Sequence, residues 1–445
     1  MTQTHAAAPA STAASAQIGF WTCTALVVGN MIGIGIFMLP AVLAPFGLNA
    51  LLGWLVTALG CAVLAGVFSR LARDFANPDG PYGYIRATQG NFAAFVAAWC
   101  YWVSLWITNA TLAVGAVAYL QAAVPELAAL APAPAMALAL LWLFVGVNLF
   151  GARASGPVAM ITTALKLAPM VAVILLGAWV LATEPGAYAQ SIPATPIDGS
   201  QIMAASTVAL FALLGFESAS VPASKVRDPA RTIPRATLVG TLLTAAIYVA
   251  ISAIPMLLIP QAELAQSQAP FADLIARLVG GDIGRVIALF VVVSALGCLN
   301  GWTFLVGELT RTMALNGVLP RVFARDNPRG APALALILTG LLATAMVLMN
   351  YSRSMVQGFA FMSSIVTAAN LPLYLLCSIA LIRFAQRGGK VSRDLVLLGL
   401  FGAAYAIFAF VGMGREPFFW ALMLAAAGAP IYVLLNRPRP APAPA

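Results

Sequence analysis

Charge is what this sequence has least of. Asp, Glu, Lys and Arg together make up 8 % of 445 residues, against 62 % hydrophobic residues. No soluble globular chain of this length hides that much apolar surface, so the composition implies a polytopic membrane protein. Histidine is almost missing. The one copy, His5, lies in a tail, so imidazole-based catalysis and zinc ligation are without support. The five cysteines, Cys23, Cys61, Cys100, Cys298 and Cys377, are scattered through apolar segments with no metal spacing. They read as small core residues and not as a disulfide framework or metal site. There is no phosphate-binding GxxxxGK[ST] loop, HExxH helix or GxSxG elbow, so ATPase and hydrolase chemistry have no support and no cofactor is implied. Residues 1–16 lack the basic start and cleavage site of a signal peptide and are expected to form a disordered cytoplasmic tail. The Pro/Ala-rich residues 437–445 are expected to be a second one.

What remains is apolar segments, each long enough to cross about 30 Å of hydrocarbon at about 1.5 Å per residue. They fall at roughly 17–46, 50–70, 90–123, 133–151, 157–182, 200–224, 236–259, 283–314, 332–350, 356–383, 394–413 and 417–436, which makes twelve. The net charge of +9 is carried mostly by alternate loops, which excludes a nucleic-acid surface. With both termini inside, inner loops and tails hold 18 basic residues, among them Arg70, Arg86, Arg153, Arg227 and Arg325, while outer loops hold Arg277, Arg285, Arg353 and Arg415. That asymmetry predicts cytoplasmic termini in a cytoplasmic (inner) membrane and supports an even number of spans.

The first span contains Gly29-Asn30-Met31-Ile32-Gly33-Ile34-Gly35-Ile36-Phe37. Each glycine weakens a helix by about 1 kcal/mol relative to alanine, and broken helix at membrane depth survives only where it lines a cavity. The half-helix after Gly35 then turns its positive end toward the opening, which suits a carboxylate. A close-packing glycine face against a neighbouring helix is the other reading of the same residues. A second interruption, Phe211-Ala212-Leu213-Leu214-Gly215-Phe216-Glu217, falls in the sixth span. The first and sixth spans correspond in two five-helix halves, and paired Gly-interrupted helices there point to an inverted-repeat transporter with a mid-membrane site.

These residues resemble a known group. The Gly29–Phe37 stretch, Phe216-Glu217-Ser218-Ala219 with Asp228-Pro229 and Ile233-Pro234 after it, Asn300-Gly301-Trp302-Thr303, and Asn316-Gly317-Val318-Leu319-Pro320 are similar to motifs of the amino acid–polyamine–organocation superfamily. The likeness is closest to the basic amino acid and polyamine antiporters, such as arginine/agmatine and putrescine/ornithine exchangers. It implies an all-α, leucine-transporter-type fold: a ten-helix 5+5 inverted-repeat core over 17–385, two additional helices over 386–436, and spans 1 and 6 unwound mid-membrane.

The resemblance also implies roles. Backbone N–H groups near Gly33, Ile34 and Gly35, with Asn30 beside them, would hold a substrate carboxylate, and carbonyls freed near Phe211, Leu214 and Gly215 would accept from its ammonium. In the arginine/agmatine exchanger a serine stands at the position of Ile34, so a hydroxyl donor is lost here and the pocket becomes more apolar. Tyr101, Ser104, Asn109 and Leu112 lie near one face of the third span. By resemblance Tyr101 belongs to an outer gate, while Ser104 and Asn109 face the substrate's side chain. Trp302 matches a tryptophan that stacks on a guanidinium, a contact of about 0.5–2 kcal/mol. Phe211 replaces a gating tryptophan. Ser363 and Ser364 in the tenth span are candidate hydroxyls, with helix packing as their other reading.

Two ionisable residues lie deep in spans and are functional candidates on that ground. Glu217, just past the second interruption, is a candidate proton-sensitive gate. Lys166 lies about nine residues, or roughly 13 Å, inside the fifth span. Its position resembles the lysine of proton-coupled amino acid transporters, whose ammonium fills the space that sodium fills in sodium-driven relatives. The expected function is sodium-independent secondary transport of amino acids or polyamines by alternating access, with cationic exchange first. Proton-coupled symport of neutral amino acids through Lys166 and a non-transporting amino-acid receptor or subunit are the alternatives. A channel would want charged rings, and only two deep charges exist. The expected partners are the small-molecule substrate, protons and the bilayer, with a homodimer possible.

Overall fold

The computed structural model describes residues 19–75, 80–150, 156–184, 195–216, 228–350, 352–387 and 392–435, with 186 and 226 besides. Among them, seven helical segments are long and apolar enough to cross a membrane. Five further spans are shorter, interrupted or partly outside the described residues, which brings the total to the expected twelve.

The first span is two helices, α1 (Phe20–Met31) and α2 (Gly35–Leu43). There follow α3 (Leu48–Asp74), a short α4 (Gly80–Gln89), α5 (Asn91–Ala123), α6 (Ala133–Leu149) and α7 (Gly156–Thr183). The second set begins with α8 (Gly199–Leu213), which stops in a turn, and continues with α9 (Pro229–Leu258). A short amphipathic helix, α10 (Pro270–Leu278), precedes α11 (Gly281–Leu315). Then come α12 (Ala333–Met349), α13 (Met355–Arg387), α14 (Arg393–Gly412) and a last span made of α15 (Arg415–Ala426) and α16 (Ala429–Leu435).

Apolar residues all around a helix bury it on every side, and α5 is the clearest case. In its most apolar window 89 % of residues are buried, against 11 % in the last span. Thus α5 is the axis of the bundle, packed against α6, α11, α12 and α13, while the last span faces outward. Small residues let the helices approach. A Cβ on Gly60 of α3 would run into the Tyr405 ring of α14, and one on Gly177 of α7 into Ile254 of α9. All five cysteines are buried and unbridged.

Candidate functional site

The first break is real and local. Helix α1 ends at Met31, Ile32 turns extended (φ −75°, ψ 99°), and α2 restarts at Gly35 after Ile34. The N–H of Ile32 still reaches the Val28 carbonyl at 2.9 Å, and those of Phe37 and Met38 reach the Ile34 carbonyl. Among the described residues, the N–H groups of Gly33, Ile34, Gly35 and Ile36 find no acceptor. Among the described residues these four N–H groups, at the positive end of α2, are open to an anion.

The other side of the break is tied down. Lys166 of α7 is buried and its Nζ donates to the carbonyls of Gly29 (3.3 Å) and Ile32 (3.2 Å). The Tyr248 hydroxyl of α9 donates to the Met31 carbonyl at 2.9 Å. Further along α2, the Tyr119 hydroxyl donates to the Phe37 carbonyl at 2.8 Å and accepts from the Phe271 N–H of α10. Carbonyls freed by the break thus receive donors from neighbouring helices, while among the described residues the freed N–H groups meet no acceptor.

In the second break α8 ends at Leu213, Leu214 is extended (φ −65°, ψ 151°), and Gly215 takes φ 108°. That left-handed backbone is what the glycine is needed for. Phe216 then stacks on Tyr374, ring centroids 5.3 Å apart, with Phe68 edge-on to both. Glu217 lies outside the described residues, as does the continuation of the span to 225. Asp198 caps the start of α8 by accepting from the N–H groups of Ser200 and Gln201. Its carboxyl is held below the ordinary carboxylate range, first by the Ser200 hydroxyl and then by those N–H groups.

Between the two breaks lies a narrow chamber of about 30 Å³, on the scale of one or two water molecules. It brings together Gly33, Gly35, Ser104, Phe211, Leu214 and Trp302 from the sequence-based set, with Leu112. Close approach is as important here as backbone freedom. A Cβ on Gly33 would lie 2.9 Å from the Cys298 Sγ, and one on Gly35 would lie 3.0 Å from the Phe211 ring. Both readings of these glycines therefore hold at once.

Other expected residues lie elsewhere. The Ile34 side chain is fully buried against Gly115 and Phe359, so its apolar bulk does not enter the chamber. Asn109 is buried with its Oδ1 unpartnered, but it does not line the chamber. Ser364 donates to the Ala360 carbonyl within α13 and stays out, as does Ser363, which donates to the same carbonyl. Tyr101 is half-buried one turn before Ser104. Asn30 falls inside α1, with its side chain outside the described set. Lys166 sits behind the break, off the chamber.

The chamber has lining residues that the sequence did not single out: Thr108, Cys298 and Asn370. Thr108 had a signal, since it stands four residues from both Ser104 and Leu112 and so on their face. Asn370 had only its polarity within an apolar helix. The polar side chains share one property. The Ser104 Oγ donates to the Tyr101 carbonyl (2.7 Å), and the Thr108 Oγ1 to the Ser104 carbonyl (2.8 Å). The Asn370 Nδ2 donates to the Val366 carbonyl (2.8 Å). The two hydroxyls give their protons to their own helix and keep lone pairs for a ligand, and Asn370 keeps its Oδ1 and one N–H.

Comparison with known proteins agrees with this architecture. A manganese transporter of Eremococcus coleocola superposes with a TM-score of 0.55 at 12 % identity, covering 94 % of this chain and 92 % of that one, which shows the shared fold. That fold is the leucine-transporter type: five plus five inverted helices with the first and sixth interrupted, then two more. The putrescine transporter PotE of Escherichia coli is 30 % identical over 438 residues, 96 % of this chain and 98 % of that one. A cadaverine/lysine antiporter of the same species is 30 % identical over 404 residues, 89 % of this chain and 90 % of its own length. Over residues 18–434 the sequence matches the amino acid permease family, and the chain belongs to it.

Proposed function

We propose that this protein is a sodium-independent secondary transporter that exchanges cationic amino acids or polyamines across a cytoplasmic membrane by alternating access. The observation that carries this reading is the chamber between two interrupted spans, whose polar side chains present acceptors to the ligand. A primary ammonium has three N–H donors and no lone pair, so it suits such a lining, with the Trp302 and Phe211 faces adding cation–π attraction. A substrate carboxylate is served by the open N–H groups from Gly33 to Ile36. The similarity to PotE and to the cadaverine/lysine antiporter supports the same substrate class.

Lys166 gives the reason for sodium independence. Unwound carbonyls are the ligands that coordinate sodium in transporters of this architecture, and here an ammonium already donates to two of them. The 18-to-4 distribution of basic residues places both termini in the cytoplasm. In that orientation α5 starts inside, so Tyr101 stands on the cytoplasmic side of Ser104 and its gate is the inner one, where the resemblance alone suggested the outer. The moving core is residues 17–385, and the last two spans, largely exposed, flank it.

The test is counterflow in proteoliposomes. Uptake of labelled lysine or butane-1,4-diamine should require an internal amine or basic amino acid and be indifferent to replacing sodium by potassium. Uptake into empty vesicles that depends on a sodium gradient overturns the reading.

A further inference from the structure

Asn370 lies in α13, is 3 % exposed and lines the chamber. Its orientation follows from its neighbour. The Val366 carbonyl only accepts, so the carboxamide nitrogen must face it and the Oδ1 is left over. Among the described residues that oxygen has no hydrogen-bond partner. A buried acceptor left unpaired costs stability, and an apolar residue of the same shape in its place does not. Among the described residues nothing in the packing of α13 requires the amide: the Val366 carbonyl stands inside a continuous helix, and the nitrogen adds only a local contact to it.

We propose that Asn370 is a specificity-determining residue: its Oδ1 accepts a hydrogen bond from a primary ammonium of the bound substrate. Ser104 Oγ and Thr108 Oγ1 supply two further acceptors from α5, so that acceptors on two helices match the N–H donors of one –NH3+ group. A neutral side chain without donors offers the Asn370 oxygen no hydrogen bond, and that difference is the discrimination. This rests on the chamber being an amine site. It goes beyond that reading by naming the side chain that meets the ammonium.

The test uses Asn370→Leu and Asn370→Asp in the full-length protein, with counterflow of butane-1,4-diamine in proteoliposomes and thermal unfolding of the detergent-solubilised protein. Asn370→Leu should leave the unfolding temperature of the substrate-free protein unchanged or raised and increase KM about tenfold, the scale of one lost charge-assisted hydrogen bond. Asn370→Asp keeps the oxygen and should hold KM at or below the original. A KM for Asn370→Leu within twofold of the original overturns the proposal. So does a lowered unfolding temperature or failure to fold, which marks a structural amide, and so does an Asn370→Asp protein as weak as Asn370→Leu. Absence of amine counterflow in the unsubstituted protein is a separate result and overturns the transport reading itself.

Discussion

The two breaks face one chamber but are held by different forces. Around the first, Lys166, Tyr248 and Tyr119 reach in from three helices and donate to carbonyls of the interrupted span. Around the second, the chain leaves α8 through a left-handed glycine and is clasped by the rings of Phe216, Tyr374 and Phe68. Polar fastening is directional, so it uses up the acceptors of the first break and leaves its donors open to a ligand. Aromatic clasping is much less directional and tolerates sliding. Among the described residues, then, hydrogen bonds fasten the first break and ring packing is the contact seen at the second.

That comparison can be broken most decisively at Lys166. Lys166→Met keeps the stem and removes the donor, leaving two buried carbonyls short at about 1–3 kcal/mol each. Counterflow should fall about a hundredfold or more, and unfolding temperature should drop with it. An unaffected rate would show that the ammonium does not hold the break. At the second break, Phe216→Leu gives up ring contacts of about 0.5–1.5 kcal/mol. Its unfolding temperature should fall while counterflow stays within about tenfold, and a larger loss of transport would erase the distinction between the two breaks.

Gly35→Ala and Gly215→Ala sharpen it further. A Cβ on Gly35 meets the Phe211 ring at 3.0 Å, so KM should rise several-fold with little change in turnover. At Gly215 the left-handed φ makes a side chain strained by about 1–3 kcal/mol, so the loss should appear in unfolding temperature first. Tyr248→Phe removes one of the donors at the first break and should cost about 1 kcal/mol, read as a small fall in unfolding temperature.

The smallest effect is expected at the α8 cap. The Asp198 carboxyl is held below its ordinary value in the folded protein, so its contribution is complete above the unfolded carboxylate value. It disappears as pH falls through the lowered folded one. Ser200→Ala should narrow that acid-side window in a pH series of unfolding temperatures, lowering the neutral-pH value slightly and leaving the low-pH value unchanged.

The spans, the paired interruptions and the depth of Lys166 were legible because each is a one-dimensional property: run length, glycine spacing and distance from a charged loop. Side-chain direction was not. Ile34 stands between two chamber glycines, and its backbone lies in the interruption between α1 and α2. Yet its side chain turns to Gly115, because Gly115 lacks the Cβ that would block it. Ser364 and Asn109 were plausible by type, and rotation about their helix axes put both off the chamber.

Composition and periodicity by themselves determined that this chain lives in a bilayer, crosses it twelve times, and is interrupted where two spans correspond. Lipid provides no hydrogen bonds, so every departure from regular apolar helix stands out in the sequence. Only the tertiary structure decided what the interruptions face and what fastens them. Those contacts join residues more than a hundred positions apart, as Lys166 with Gly29 and Tyr248 with Met31, and nothing local in the chain encodes such a pairing.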